Sequence, residues 1–493
     1  MQDYTNTYLD TRGYTPDDAR LTFTQAILQG MAPGGGLYVP CVMPRLKIDE
    51  ICRLADVPYA EQAAYIYRRF GVDLPFDVID DLMHKAYGDN FNDKSIAPLR
   101  NVAPGMHVLE LWHGPTSAFK DMALQCLPLF FSAAIEKRDA TGAGDATDYL
   151  ILVATSGDTG SAALNGFAKR EHTNIIVFYP SGGTSDIQRL QMVTQDGDNV
   201  GVFGVHGNFD DCQTAVKAAF DDKGFSLELS REYNMRLSSA NSINWGRLMP
   251  QIVYYISAYS QMVKNGDIEA GSDIDVCVPT GNFGNILAAY YAKDMGVPID
   301  NLFCASNENH VLTDFINTGT YDISSREFKI TPSPAMDILV SSNLERLLFE
   351  LTGRDGARIA GWMDDLKERK RFTVDKGTFA SLRRHFSSDW VSSNDSLNVI
   401  RKVYERYRYL LDPHTAVSWR VAERLRKDNP VLIASTAHWA KFGADVYRGL
   451  TGMTENEPLP DKVSGLSGTE LNRYIRRYYE ASVIPSGLAD LDE

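Results

Sequence analysis

The sequence predicts an α/β protein in which a mixed amino-terminal unit precedes two domains, each built on a sheet of parallel type. Three observations predict it. From Tyr149 onward, apolar runs at 150–154, 175–179 and 200–205 alternate with helix-forming stretches that begin at 161, near 185 and at 210. A βαβα order of this kind closes a parallel sheet with both faces covered. The wholly apolar run IDVCVP at 274–279 passes through a glycine-rich turn directly into the helix-forming stretch Ile286 to Met295. At 493 residues, the chain is longer than one hydrophobic core usually serves.

Residues 1–95 form the mixed opening unit, where Leu21 to Met31 reads as a helix stopped by the turn Pro33 to Gly36. This unit is expected to be a packing cap rather than a carrier of chemistry. Residues 149–254 read as a small α/β domain inserted into a larger one formed by 96–148 and 255–493, with polar loops at 139–148 and 264–273 marking the crossings. An active site is expected in the cleft between them. Further on, Ser341 to Thr352 precedes the charged run GWMDDLKERKR at 361–371, which reads as the solvated face of a helix. Thr454 to Thr469 reads as a surface connection.

Composition sets limits on function. A hydrophobic fraction of 44% and a charged fraction of 23% are those of a globular protein, and the net charge of -15 disfavours nucleic acid and anionic membranes as partners. The six cysteines form no CxxC pair, no apolar run approaches the length of a membrane span, and Met1 to Asp10 is polar, so a cytoplasmic enzyme is the expectation. His84, His107, His172, His206, His310 and His385 show no metal-ligand spacing.

Lys120 lies in the apolar stretch LWHGPTSAFKDMAL at 111–124. Desolvation disfavours an ammonium, and the neutral amine is the species that attacks an aldehyde to form a Schiff base, so the setting points towards pyridoxal phosphate. Alone, the same lysine also reads as a snorkelling side chain with its amine in water. The turn TGNFGN at 280–285 sits between strand and helix, where glycines let backbone N–H groups converge and the helix N-terminus adds positive potential. Side chains of Thr280, Asn282 and Asn285 can add donors. The turn has neither the GxGxxG spacing nor the lysine of GxxxxGK[ST], so a single phosphate suits it better than NAD or ATP; an ordinary tight turn is the other reading. The same strand, turn and helix return around TSGDTG at 155–160, which gives two N-termini for two anions, one on the cofactor and one on the substrate.

These segments occur in order with DTRG at 10–13, FTQAILQGMAPGGGLYVP at 23–40, HGPTSAFKD at 113–121, NSINWGR at 241–247, SSNLERLLFEL at 341–351, DPHTA at 412–416 and STAHWAKF at 435–442. Together they resemble the motifs of the threonine synthase family, fold type II pyridoxal phosphate enzymes of tryptophan synthase β-like architecture. The resemblance covers nearly the whole chain. It implies that Lys120 holds the cofactor and, once freed by the substrate, acts as general base. It implies that Gly281, Asn282, Phe283, Gly284 and Asn285 grip the cofactor phosphate and that Thr436 faces the pyridine nitrogen. Asp158 occupies the place where related enzymes often carry an asparagine near the phenolic oxygen, and an acid there sits awkwardly beside an anion unless a proton is shared.

Thr155, Ser156 and Thr159 are the candidates for the substrate carboxylate. Asn241, Ser242 and Arg247 are those for a second phosphate, because short donors and a guanidinium suit a tetrahedral dianion; an arginine paired with a surface acid is the alternative. The implied activity is that of a carbon–oxygen lyase in threonine biosynthesis, converting O-phospho-L-homoserine and water into L-threonine and phosphate. A phospholyase releasing 2-oxobutyrate, or a pyridoxal phosphate-binding protein without activity, are the competing readings. The chain departs from the family pattern at the first residue of DTRG, at Gly34, at Ser117 and at Trp439, whose flat ring is expected to affect cofactor packing at the pyridine end.

Overall fold

A computed structural model describes residues 6–16, 19–140, 147–489 and 491. The middle of the polar loop at 139–148 and the first half of the polar stretch 1–10 lie outside the described residues. The chain opens on an antiparallel ribbon, β1 (Tyr8–Asp10) with β2 (Tyr38–Pro40). Between them the expected helix runs over Phe23–Gln29, where the Thr22 hydroxyl caps it and Gly30 ends it at φ 74°. β3 (Leu99–Ala103) and β4 (Met106–Glu110) form an antiparallel pair. The next four strands, β5 (Asp148–Ala154), β6 (Thr173–Pro180), β7 (Val200–Val205) and β8 (Met235–Ser239), make an all-parallel sheet in the order β7-β6-β5-β8.

β9 (Ile274–Pro279) and β10 (Ile299–Ser306) begin a second sheet, and β11 (Thr320–Asp322) with β12 (Arg371–Thr373) forms a separate ribbon. With β13 (Phe386–Trp390) and β14 (Val431–Ser435) the second sheet reads β13-β10-β9-β14-β4-β3, parallel except at its edge strand β3. β14 enters between β4 and β9, placing Val431 opposite both Met106 and Asp275. Every residue of β9 and β14 is buried, which explains why IDVCVP and VLIAS show no apolar–polar alternation: helices cover both faces. One such helix is Pro413–Leu425, whose first turn is capped by Asp412 and which packs on β9, β10, β13 and β14.

The 21-residue helix Trp245–Asn265 is the axle of the molecule. It packs against the helix Gly284–Met295 and against Ile48–Arg53 and Tyr59–Arg69 of the opening unit, and it runs unbroken through 254–255, where a domain boundary was expected. The charged run forms the helix Gly356–Arg369, leaving Arg371 to start β12. Thr454 to Thr469 is not wholly a connection, since Asp461–Ser464 is helical and Gly468 begins another helix. Among the described residues, no helix is long and apolar enough to cross a membrane.

Five of the motifs share one placement. HGPTSAFKD follows β4, TSGDTG follows β5, NSINWGR follows β8, TGNFGN follows β9 and STAHWAKF overlaps the end of β14, so each leaves the carboxyl end of a parallel strand. That end of an open α/β sheet is where ligands bind, because loops diverge there and helix N-termini point at the gap.

Candidate active site

The loop from β4 enters the short helix Asp121–Leu124 at Lys120. It is tied to the segment after β14: the Phe119 N–H donates to the Thr436 carbonyl at 2.8 Å, the His438 N–H donates to the Ser117 carbonyl at 3.0 Å, and Ala118 bridges Ala437. From behind, the Asp121 carboxyl accepts the Thr116 N–H at 2.9 Å and its hydroxyl at 2.7 Å. Burial pushes Asp121 up to about 6 against those bonds. Lys120 keeps part of its surface open, with Nζ 4.6 Å from the centre of the Phe119 ring. Its amine is nonetheless lowered to about 8, first by burial and then by the Arg247 charge, with Asp158 opposing and Lys441 assisting.

At the end of β9, the N–H groups of residues 281–285 donate to no protein atom among the described residues. Phe283 adopts φ 62° and no side chain caps the following helix, so the amides converge on one open spot. Asn285 Oδ1 accepts the hydroxyls of Tyr254, at 2.9 Å, and of Tyr255, which leaves Nδ2 buried without a partner. A Cβ on Gly281 would stand 2.6 Å from the Ala335 carbonyl oxygen. A cradle of free amides plus an orphaned buried donor fits a phosphate. Of the expected side-chain donors, the Thr280 hydroxyl is otherwise engaged, donating to the Val278 carbonyl at 2.8 Å, whereas Asn282 accepts the Ser342 hydroxyl on Oδ1 at 3.2 Å and keeps its Nδ2 to donate.

After β5, the buried Thr155 hydroxyl accepts the N–H groups of Gly157 and Gly160, both at 2.9 Å, and so shapes the turn from inside. The N–H groups of Ser156, Asp158 and Thr159 donate to no protein atom among the described residues, and the Ser156 and Thr159 side chains are half-buried at the mouth. Asp158 is buried and ion-paired with Lys441 at 3.0 Å, while Gln188 donates to it at 2.8 Å. Its carboxyl stays below the ordinary range: burial acts to raise it, but Lys441 and His414 more than offset that. Asp158 therefore has a cation as its partner, and no shared proton is needed.

After β8, the Arg247 guanidinium is fully buried and donates to the Ala240 carbonyl, but its Nε has no partner and no carboxylate comes within ion-pair distance among the described residues. Burial lowers it to about 10, with the Asp121 charge opposing. The alternative of an arginine neutralised by a surface acid is thus set aside. Asn241 Oδ1 is a second buried orphan here. Asn343 joins this corner to the phosphate cradle, its Nδ2 donating to Ser242 Oγ at 3.1 Å and to the Asn282 carbonyl at 3.0 Å. Arg346, also buried, fixes the same strand end by donating to the carbonyls of Tyr38 at 3.1 Å and Ile243 at 2.6 Å and to Asn343 Oδ1 at 2.5 Å.

After β14, Thr436 is buried and its hydroxyl has no protein partner among the described residues. His414 Nδ1 lies 2.8 Å from Asp412 Oδ1, and the Ala335 N–H points at its Nε2 at 3.2 Å. Burial lowers His438 to about 3. The Trp439 indole donates to Ser482 Oγ at 2.9 Å and its ring lies against His438, so it anchors the carboxyl-terminal segment. Asn343, Arg346 and Lys441 had no role in the sequence reading. The unexplained acid at 158 was the one sequence signal for Lys441. No group of three or more His, Cys, Asp or Glu suited to a metal exists among the described residues.

Three family matches cover most of the chain. Residues 7–87 match the threonine synthase N terminus, 101–436 match the pyridoxal-phosphate dependent enzyme family, and 415–478 match the threonine synthase C-terminal family. A human protein named Threonine synthase-like 1 is 43% identical over 465 residues, which cover 92% of this chain and 62% of that protein. The chain thus spans less than two thirds of that relative. Threonine synthase of Pseudomonas aeruginosa is 38% identical over 485 residues, covering 98% of this chain and 96% of that one. A crystal structure of threonine synthase from Brucella melitensis with bound pyridoxal phosphate superposes with a TM-score of 0.82 at 37% identity, over 93% of each chain.

Proposed function

We propose that this chain, which belongs to the threonine synthase family of pyridoxal phosphate-dependent enzymes, converts O-phospho-L-homoserine and water into L-threonine and phosphate. The observation that carries the reading is a second anion site beside the first. One is the cradle of free amides at 281–285, and the other is the buried Arg247 beside Asn241 and Ser242, which lacks a counter-carboxylate among the described residues. A cofactor with one phosphate and a substrate with another need two such places.

Bound pyridoxal phosphate supplies an electron sink for the α-carbanion. In this reading Lys120 holds the cofactor, and when the substrate amino group takes its place the neutral amine receives the α-proton. The amides of Gly281, Asn282, Phe283, Gly284 and Asn285 hold the cofactor phosphate. The Thr436 hydroxyl faces the ring nitrogen without enforcing its protonation as a carboxylate would, and Asp158 stands beside the phenolic oxygen. The turn that Thr155 shapes offers the N–H groups and hydroxyls of Ser156 and Thr159 to the substrate carboxylate. Asn241, Ser242 and Arg247 take the substrate phosphate, where a guanidinium gives charge-assisted bonds to the departing dianion. Overall, a β-proton is lost, the γ-carbon–oxygen bond breaks with its electron pair leaving on phosphate, and the γ-carbon gains a proton. The hydroxyl of water then bonds to the β-carbon, and the α-carbon recovers its proton.

The test is product analysis. Loaded with pyridoxal phosphate and given O-phospho-L-homoserine, the protein should release threonine and phosphate in equal amounts. Phosphate accompanied by 2-oxobutyrate and ammonia would replace the reading by a phospholyase. Failure to gain a visible band that borohydride fixes on Lys120 would overturn both.

A further inference from the structure

Lys441 carries a charge at the site that the reaction does not use. It is completely buried, 3.0 Å from Asp158 Oδ1, and it donates to the Thr116 carbonyl at 2.7 Å. Its partners come from different places: Asp158 from the turn after β5, Thr116 from the Lys120 loop after β4, and Lys441 itself from the segment after β14. Bonds alongside span the same gap. The Ser185 hydroxyl donates to the Lys441 carbonyl at 2.8 Å, and the Gln191 amide donates to the Thr116 carbonyl at 3.2 Å. Without Lys441, a buried carboxylate at 158 would be uncompensated, would repel an anionic oxygen bound next to it and would draw the Lys120 amine back towards its ammonium.

We propose that Lys441 is a positioning residue: its ammonium turns Asp158 into a charge-compensated neighbour of the cofactor and latches the TSGDTG turn to the Lys120 loop. A carboxylate can then stand beside a phenolic oxygen, where a neutral amide would otherwise be required. The proposal rests on Lys120 as the cofactor lysine and on Asp158 beside the phenolic oxygen. The charged and titratable groups that face the pair are Lys120 and Asp121 on the loop and its helix, and His414 and His438 on either side of β14, while Arg247 on the long helix acts on Lys120 and Asp121.

Lys441→Met, Asp158→Asn and the double variant separate a charge pair from two unrelated core positions. In the cofactor-free protein, each single variant should lower the melting midpoint by several degrees, and the double should recover at least half of the summed loss. If Lys441→Met does not fold, a double variant that folds is the same result, and one that does not is the opposite. In the loaded protein, the pH midpoint of the visible band should rise in Lys441→Met and fall in Asp158→Asn, each by roughly one unit, and return close to the parental value in the double. A fixed band midpoint with additive losses of stability would overturn the proposal. A parental protein that forms no band refutes the cofactor assignment instead, so the two failures are told apart.

Discussion

A lysine amine lowered to about 8 is half neutral close to physiological pH, and that is the condition for capturing an aldehyde. Capture of pyridoxal phosphate by the cofactor-free protein should accelerate as pH rises through about 8 and level off above it, which stopped-flow absorbance between pH 6.5 and 9.5 would show; a rate still climbing tenfold per pH unit at the upper limit would contradict it. Because the folded-state value lies below the ordinary 10.5, the folded protein binds fewer protons between about 8 and 10.5, so this group's penalty is complete below about 8 and is relieved as pH rises through that window. Replacing the amine, as in Lys120→Ala, should cut turnover by about 10³-fold or more and abolish borohydride trapping. Arg247→Gln should raise KM for the phosphorylated substrate by about 30-fold while cofactor content stays near parental, because a charge-assisted clamp is worth about 2 kcal/mol; equal KM values would remove Arg247 from the phosphate site. Lys120 and Arg247 stand out in the sequence because their types and motif positions announce charge in an apolar setting. Lys441 could not, since its partner Asp158 lies far away along the chain and only the fold brings the two within 3.0 Å.

The informative elements are the strand-to-turn junctions. The TGNFGN junction was readable because strand, glycine turn and helix are contiguous, so local propensity and geometry agree. What the sequence did not show is how the turn is supported. Ser341 donates to the Gly281 carbonyl at 2.8 Å and Asn343 to the Asn282 carbonyl, so the loop before the helix Leu344–Leu351 acts as a buttress. The closeness of Gly281 to the Ala335 carbonyl makes a direct test. Gly281→Ala puts a methyl group 2.6 Å from a backbone oxygen that cannot rotate away, so the turn must shift. Cofactor affinity should fall by about tenfold or more with the helical content unchanged, as read by fluorescence titration and circular dichroism; parental affinity would show that the cradle tolerates the shift and that the amides are not what grips the phosphate.

Across the whole molecule, one continuous core joins the two sheets, side chains near Lys120 tie their turns together, and the carboxyl-terminal segment packs on the same loop. Ser482 takes the Trp439 indole, and Gly487 lies so close to the Lys120 loop that a Cβ there would be 2.3 Å from the Pro115 carbonyl oxygen. Gly487→Val should therefore push that segment off and lower cofactor content several-fold at limiting pyridoxal phosphate, without changing the assembly of either sheet; full cofactor content would show the segment to be a bystander. The alternation from Tyr149 was enough to read the small sheet, whereas the six-stranded sheet draws β3, β4, β9, β10, β13 and β14 from distant stretches that no local pattern connects. The late arrival of β14 between β4 and β9 has a cost during synthesis. While a ribosome adds the residues that separate Glu110 from Val431, on the order of tens of seconds at typical elongation rates, one flank of β4 waits as an open edge, joined by one flank of β9 once Pro279 has been added. The nascent chain thus passes through an interval in which a stray strand could occupy the central slot, and shielding by a chaperone in that interval would decide the yield of folded enzyme.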